Sequence, residues 1–193
     1  MDRKEIAVIE RPNNVSWEDI SRTLRRAHED NVKKGIVLPY PHLPPEEIEA
    51  KTEGRGGKMF VALDEGKVVA TGAVAIIEKD LWCGNGKYAY CFMASVLPEY
   101  SGYGLYRKIV AAQEDFAKAN GVFRMMFDTD ERNKRILEIS IKNGYRRVTY
   151  RVKEGRNSVL LVKWLNGCPY SKLKCYWKFI RIRRNRRKQN KTK

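Results

Sequence analysis

Three segments with the residue pattern of β-strands follow one another along the chain, with no helical segment between them. They span Lys58–Asp64, Lys67–Glu78 and Lys87–Val96, and the dipeptide Glu65-Gly66 between the first two is typical of a hairpin turn. Consecutive strands joined by short turns pair in the antiparallel sense, whereas parallel neighbours need a long crossover. The regular strand–helix alternation of a doubly wound parallel fold is therefore excluded.

Helices and further strands flank this central run. Ser16, with Asp19 three residues later, has the pattern of a helix N-cap. In chain order, we predict a strand over Lys4–Glu10, a helix from Ser16 that ends near Asn31–Gly35, a short helix from Pro44 to Gly54, a helix that follows Gly104 and ends at Asn120, a strand over Arg124–Asp128, a helix over Asn133–Asn143, and a hairpin of Arg146–Lys153 and Ser158–Leu165. The order β-α-α-β-β-β-α-β-α-β-β predicts an α/β domain with a mixed, mostly antiparallel central sheet and helices on both faces.

Positive charge is concentrated at the end of the chain. The whole sequence contains 39 Lys and Arg residues against 23 Asp and Glu residues, and residues 171–193 contain 11 basic residues and no acidic one. A basic block at a terminus is typical of an interaction arm or a solvated tail. We therefore predict one folded domain over residues 1–169, with a boundary near Gly167–Pro169, and a basic amphipathic tail over residues 170–193.

The tail has several plausible partners. As a helix it would place Leu173, Tyr176, Trp177 and Ile180 on one face and Lys174, Lys178 and Arg181 on another. This pattern suits an anionic membrane surface, and basic residues interleaved with aromatic ones also suit nucleic acid. An acidic protein such as an acyl carrier protein is a third alternative. The fourth is a helix end that packs on the domain and is followed by a solubilising terminus.

The sequence does not indicate a membrane-spanning or metal-dependent protein. Its uninterrupted apolar runs, such as Ala73–Ile77, are much shorter than the roughly 20 residues that a membrane span needs, and the first residues lack the apolar region of a secretory signal. The 4 cysteines form no C-x-x-C pair, and neither His28 nor His42 is near them, so we expect no metal site. We expect a cytoplasmic protein that is peripheral at the inner membrane face if its tail binds lipid.

Chemistry is concentrated where the strand ending at Val96 passes into the next helix. The chain turns there through Pro98 and through Gly102 and Gly104, and the helix begins with no acidic side chain after Glu99. Such a helix start presents backbone N–H groups and the positive end of the helix dipole, which suits a phosphate or a pyrophosphate. The alternative is that both glycines only serve the turn.

The segment Val96–Leu105 resembles the strand-to-helix motif Q/R-x-x-G-x-G/A of the GNAT superfamily of N-acetyltransferases. The stretch Asn133–Tyr145, which ends in Lys-Asn-Gly-Tyr, resembles the second motif of the same family. The resemblance covers residues 4–166 and implies a GNAT-like fold, with acetyl-CoA or another acyl-CoA as co-substrate. The cofactor-binding residues that it implies are Val96, Ser101, Gly102, Tyr103, Gly104, Leu105, Tyr106 and Asn133, with Asn133 bonded to the pantetheine arm or serving only as an N-cap.

Two side chains of the first motif depart from the family pattern. Ser101 stands at the Q/R position, where it retains only a hydroxyl for a phosphate oxygen, and Tyr106 stands at the terminal G/A position. A ring directed at the ligand would obstruct the turn. A ring directed along the helix would leave the backbone N–H groups from Gly102 to Tyr106 accessible.

The resemblance also implies that a free amine attacks the thioester directly, while a base takes a proton from the amine and an acid protonates the departing thiolate. The family's usual acid is a tyrosine four residues before the second-motif glycine, and Ser140 occupies that position. We consider Tyr145 as a substitute, with Tyr150, Tyr88 and Tyr90 as alternatives.

No carboxylate lies on the third strand, Lys87–Val96, where some relatives have a glutamate. Asp130 is our candidate base, with Asp128 beside it, because two neighbouring like charges raise the pKa of one carboxyl group. Both acids could equally be capping or solvated loop residues.

We therefore predict an N-acyltransferase that moves an acetyl or other acyl group from CoA to a primary amine of a small molecule or a protein. The alternative is a GNAT-like module with weakened catalysis that binds an anionic membrane surface or nucleic acid through its tail. The proline-rich stretch 37–45 is either a lid over the acceptor or a rigid connector. A homodimer is a further expectation for this chain.

Overall fold

The computed structural model describes residues 5–36, 38, 40–78, 87–153 and 156–165. In chain order the helices and strands are β1 (Val8–Glu10), α1 (Trp17–Lys33), α2 (Pro45–Thr52), β2 (Lys58–Asp64), β3 (Lys67–Glu78), β4 (Lys87–Val96), α3 (Leu105–Ala119), β5 (Arg124–Asp130), α4 (Lys134–Lys142), β6 (Arg146–Lys153) and β7 (Arg156–Trp164). The predicted domain boundary near Gly167–Pro169 and the tail over residues 170–193 lie outside the described residues. No helix in the described part of the chain is long and apolar enough to cross a membrane.

All seven strands form one sheet in the order β1-β2-β3-β4-β5-β7-β6. Neighbouring strands are antiparallel except for β4 and β5, which are parallel. The predicted mixed, mostly antiparallel sheet is therefore confirmed. β4 and β5 pair only at Ala89 with Met125 and at Tyr90 with Met126, and the residues that follow border a cavity.

Helices cover both faces of the sheet, as predicted. On one face, Leu105, Ile109 and Leu137 anchor α3 and α4 in a core cluster with the sheet. On the other face, Ile20 and Ile48 anchor α1 and α2 in a second cluster. Full burial of one such side chain stabilises the fold by about 1.5–3 kcal/mol, so the two clusters fix the helices that border the cavity.

Helix α3 lies directly on β3 because Gly72 has no side chain. A Cβ built on Gly72 would lie 2.2 Å from Cγ2 of Ile109, a distance that two carbon atoms cannot adopt. One turn further along the helix, the buried Gln113 donates from Nε2 to the backbone oxygen of Ala73 at 2.8 Å. This close packing fixes the position of the helix relative to β3 and so fixes its N-terminus.

Local signals predicted most boundaries, and the differences have physical causes. The strands Lys58–Asp64, Lys67–Glu78, Lys87–Val96 and Arg146–Lys153 have their predicted bounds, and Ser16 and Asp19 form a capping box. The strand predicted over Lys4–Glu10 is shorter, at Val8–Glu10. The strand predicted over Arg124–Asp128 continues to Asp130, because it pairs with β7 as far as Ser158.

Candidate active site

The gap between β4 and β5 opens into a cavity of about 470 Å³. Its walls come from residues 91–96 of β4, residues 127–129 of β5, the end of α1, and the beginnings of α3 and α4. Leu38 and Tyr40, from the proline-rich stretch predicted to be a lid or a connector, also line it. Residues distant in sequence therefore meet at one opening in the sheet.

The turn before α3 borders this cavity through Pro98 and Ser101. Gly102 and Gly104 have φ values of 89° and 72°, a left-handed conformation that glycine adopts without strain. Gly104 is the N-cap of α3, so no side-chain oxygen at that position accepts from the N–H groups of the first turn. A Cβ on Gly104 would meet no atom within 4 Å, so the space above the turn is open. These features fit an anionic group such as the diphosphate of CoA.

Tyr106 does not obstruct the turn. The structure directs its half-buried side chain towards α4, where its hydroxyl lies 3.2 Å from Oγ of the fully buried Ser140. Tyr106 and Ser140, which both depart from the family motifs, are thus in contact. The large side chain is on α3 and the small one is on α4. Burial raises the pKa of Tyr106 to about 12, so it is a neutral hydroxyl at physiological pH.

Tyr145, the predicted substitute acid, is a core residue that lines the cavity. It is only 3% exposed, packs edge-on against Phe127 at 5.1 Å between ring centroids, and directs its hydroxyl at the sulfur of Met125, 3.9 Å away. Burial raises the pKa of Tyr145 well above its usual value. This setting favours packing over proton transfer.

Two of the alternative tyrosines lie away from the cavity. Tyr150 is 56% exposed on β6, and Tyr88 lies beneath the guanidinium of Arg124. Neither position supports a role as the acid.

The two aspartates predicted as candidate bases have different surroundings. Asp130 is 1% exposed and is held by Arg132, whose Nε and Nη2 donate to its two oxygens at 3.0 Å and 2.7 Å. The hydrogen bond to Asp130 also raises the pKa of Arg132. A carboxylate paired in this way is a weak base, so the structure does not favour Asp130 in that role.

Asp128 lies on the cavity wall, half-buried between hydroxyl groups. Its Oδ1 accepts from the Tyr90 hydroxyl, and its Oδ2 accepts from Oγ of Ser158 at 2.9 Å. Burial raises the pKa of Tyr90 far above its usual value, so Tyr90 is held as a donor. These bonds fix the orientation of the carboxylate at the cavity wall.

Asn133 caps α4 and lines the cavity. Its Oδ1 accepts from the backbone N–H of Ile136 at 3.4 Å. The N-cap interpretation therefore agrees with the geometry, and a bond from its amide nitrogen to the pantetheine arm stays a prediction.

Sequence reasoning missed Arg135. Its Nη2 donates to Oγ of Ser101 at 2.5 Å, which places a guanidinium at the position where the first motif lacks a long polar side chain. Lys134 and Arg135 occupy the first turn of α4, which contains no acidic residue. That unusual charge at a helix start is visible in the sequence, whereas its proximity to Ser101 is not.

No group of three or more His, Cys, Asp or Glu side chains in the described ranges could hold a metal ion.

Comparison with known proteins places this architecture in one family. The chain matches the family model described as acetyltransferase (GNAT) family over residues 17–139. Curated protein sequences give no match.

Solved structures share the fold of this chain. An acetyltransferase from Streptococcus agalactiae is 22% identical, with a TM-score of 0.67 over 84% of this chain and 100% of that one. A GNAT acetyltransferase from Staphylococcus aureus is 14% identical, with a TM-score of 0.66 over 84% and 100%. The ribosomal-protein-S18-alanine N-acetyltransferase of Escherichia coli is 16% identical, with a TM-score of 0.65 over 86% and 98%.

At these identities the structures show a common fold, and the family model covers more than half of the sequence; this chain belongs to the GNAT family of acetyltransferases.

Proposed function

We propose that the protein is an acetyl-CoA-dependent N-acetyltransferase that transfers the acyl group directly to a primary amine. The observation that carries the proposal is the position of the cavity. It joins the anion-attracting turn before α3 to the carboxylate of Asp128 through the gap between β4 and β5. GNAT acetyltransferases use acetyl-CoA, and a single opening that serves both substrates suits transfer without a covalent enzyme intermediate.

Residues at the turn would hold the donor. The N–H groups at the start of α3 would donate to the diphosphate, and residues 91–96 of β4, which line the cavity, would border the pantetheine arm. The bound thioester supplies the acyl group. Gly104 leaves the space above the helix open, so the donor phosphates can approach the backbone closely.

Asp128 is our candidate for the base. The amine nitrogen bonds to the acyl carbon, the carbon–sulfur bond breaks, and a proton from the nitrogen passes to the carboxylate. Tyr90 and Ser158 hold this carboxylate at the cavity wall through their hydroxyl groups. A positioned base of this kind contributes a rate factor of roughly 10² to 10⁴.

Tyr106 is our candidate for the acid. Its hydroxyl lies at the cavity wall beside Ser140, the position where the family carries a tyrosine, so the group is supplied from α3 instead of α4. The hydroxyl proton passes to the departing sulfur. Ser140 lies within hydrogen-bond distance, and its hydroxyl can donate to the phenolate and stabilise it.

A screen of amines tests the function. Purified protein, acetyl-CoA and a panel of small amines, polyamines and peptides with free N-termini would be followed by release of free thiol. Amine-dependent release that Asp128→Asn reduces supports the proposal. Saturable acetyl-CoA binding with no turnover on any amine would favour the alternative, a module with weakened catalysis.

A role for the tail rests on the sequence alone. We propose that the 11 basic residues of segment 171–193 hold the enzyme at an anionic membrane surface inside the cell. Co-sedimentation of the full chain with anionic and neutral vesicles, and its retardation of an oligonucleotide, would separate lipid from nucleic acid. A variant with the basic residues of 181–188 replaced by glutamine is the matched control, and it should lose binding to anionic vesicles. Measuring the molecular mass of the same preparations in solution tests the expected homodimer.

A further inference from the structure

The first turn of α4 carries two cations where a helix is least suited to them. Lys134 and Arg135 follow the N-cap Asn133, and this turn has no acidic residue. The N-terminus of a helix bears partial positive charge, so basic side chains there are unfavourable for stability. A side chain that is unfavourable at its position in a helix, and that has no stabilising partner there, indicates a functional requirement.

The contact made by Arg135 does not supply that stability. Its guanidinium donates to the hydroxyl of Ser101, 34 residues away in sequence, and both side chains are exposed at the cavity mouth. Arg132 differs, because its guanidinium is committed to the buried Asp130. A guanidinium has five N–H donors, so the bond to Ser101 leaves donors for a second, bidentate contact.

The bond to Ser101 places the guanidinium of Arg135 over the turn that precedes α3. The N-termini of α3 and α4 converge on the space that Ser101 and Arg135 border. Neither helix has an acidic residue in its first turn. Arginine matches two oxygens of a phosphate group in a planar, bidentate arrangement. The site is therefore built for a multiply charged phosphate compound.

We infer that Arg135 binds the diphosphate of the acyl donor across the turn, supplying from α4 the cationic contact that Ser101 cannot make. The inference rests on the proposed function and specifies its donor. The protein takes thioesters of free CoA, which carry a diphosphate, in preference to thioesters on the single phosphodiester of a carrier protein.

Titration of acetyl-CoA into the wild type, Arg135→Gln, Arg135→Lys and Lys142→Gln tests the inference. Lys142 is the matched control, because it is an exposed cation about two turns along the same helix. We expect Arg135→Gln to raise the Kd for acetyl-CoA by about 10- to 100-fold, the range for charge-assisted hydrogen bonds. The Kd of Arg135→Lys for acetyl-CoA should fall between those of the wild type and Arg135→Gln. The Kd of Lys142→Gln should match that of the wild type. S-acetylpantetheine, which carries no phosphate, should bind Arg135→Gln and the wild type equally.

The melting temperature distinguishes binding from support of the fold. We expect Arg135→Gln to melt at the same temperature as the wild type or above it, since a cation leaves a helix N-terminus. If Arg135→Gln has a lowered melting temperature and binds both ligands more weakly to the same degree, the inference is overturned in favour of a structural role. An unchanged Kd for acetyl-CoA in Arg135→Gln would overturn it while leaving the proposed function intact. A wild type that does not bind acetyl-CoA would refute the proposed function and this inference with it.

Discussion

The packing of α3 on Gly72 predicts a measurable coupling between that glycine and Ile109. In Gly72→Ala, the new Cβ would lie 2.2 Å from Cγ2 of Ile109, whereas carbon atoms pack at about 3.5–4.0 Å, so one of them must move by about 1.5 Å. Ile109 is fully buried, and the displacement therefore falls on α3. We expect a loss of about 3 kcal/mol of unfolding free energy, the upper part of the range for overpacked cores.

Urea denaturation of the full chain measures this loss, and Ile109→Ala provides the second arm of a double-mutant cycle. Removal of the Ile109 side chain alone should cost about 2–5 kcal/mol, because it leaves a cavity. Its Cβ lies 3.7 Å from the position of the new methyl group, an ordinary contact, and Nε2 of Gln113 lies 3.1 Å from that position. The double variant should therefore lose much less than the sum of the two single losses, with only a small adjustment of Gln113 added to the loss of Ile109→Ala. Additive losses in the double variant would show that the contact does not position the helix. Acetyl-CoA affinity should fall in Gly72→Ala, because the start of α3 moves with the helix.

Three further predictions concern catalysis and pH. Asp128→Asn should lower kcat by at least about 10²-fold with unchanged acetyl-CoA affinity in equilibrium titration, and equal loss of affinity would contradict its role as the base. Tyr106→Phe should lower kcat by about tenfold or more while the KM for acetyl-CoA stays close to the wild-type value; unchanged kcat at all pH values would assign the hydroxyl to packing alone. Burial lowers the pKa of His28 to about 4, so the unfolded chain binds a proton first as the pH falls. The free energy of unfolding should then decrease from about pH 6.5 down to about pH 4, by about 3 kcal/mol at most. Urea midpoints measured across this range should decrease less in His28→Gln than in the wild type.

Much of the fold could be predicted because its signals are local. A hairpin turn at Glu65-Gly66, a capping box at Ser16 and a glycine after each of several helices mark boundaries within a few residues of sequence. Hydrophobic periodicity then supplies the type of each element. The end of β5 was misplaced because it depends on pairing with β7, more than twenty residues later.

The inward face of α3 also depends on distant residues. A helical period through Leu105 and Ile109 continues to Ala112 and Phe116, yet both of these are half-buried in the structure and the polar Gln113 is fully enclosed. A buried amide is stable there only because a backbone oxygen of β3 faces it. No local pattern contains that information.

The candidate site was predicted in part. Ser101, Tyr106 and Asn133 line the cavity, and their contacts with a cofactor stay a prediction. The contacts that define the proposed chemistry join residues about 30 or more positions apart: Asp128 with Tyr90 and Ser158, Tyr106 with Ser140, and Arg135 with Ser101. Such pairs form only once the sheet order is set, so the sequence could not select Asp128 over Asp130.

The narrow pairing of β4 with β5 has a mechanical consequence. Strands β1 to β4 form one ladder and β5 to β7 another, and only two residue pairs connect the two ladders through the backbone. We expect this seam, near Tyr90 and Met126, to act as a hinge. A small rotation about it changes the width of the gap least beside the seam and most at the mouth, where the phosphate end of a donor would lie. A long ligand that contacts both ladders locks this hinge, so hydrogen exchange in β4 and β5 should slow together when the gap is filled.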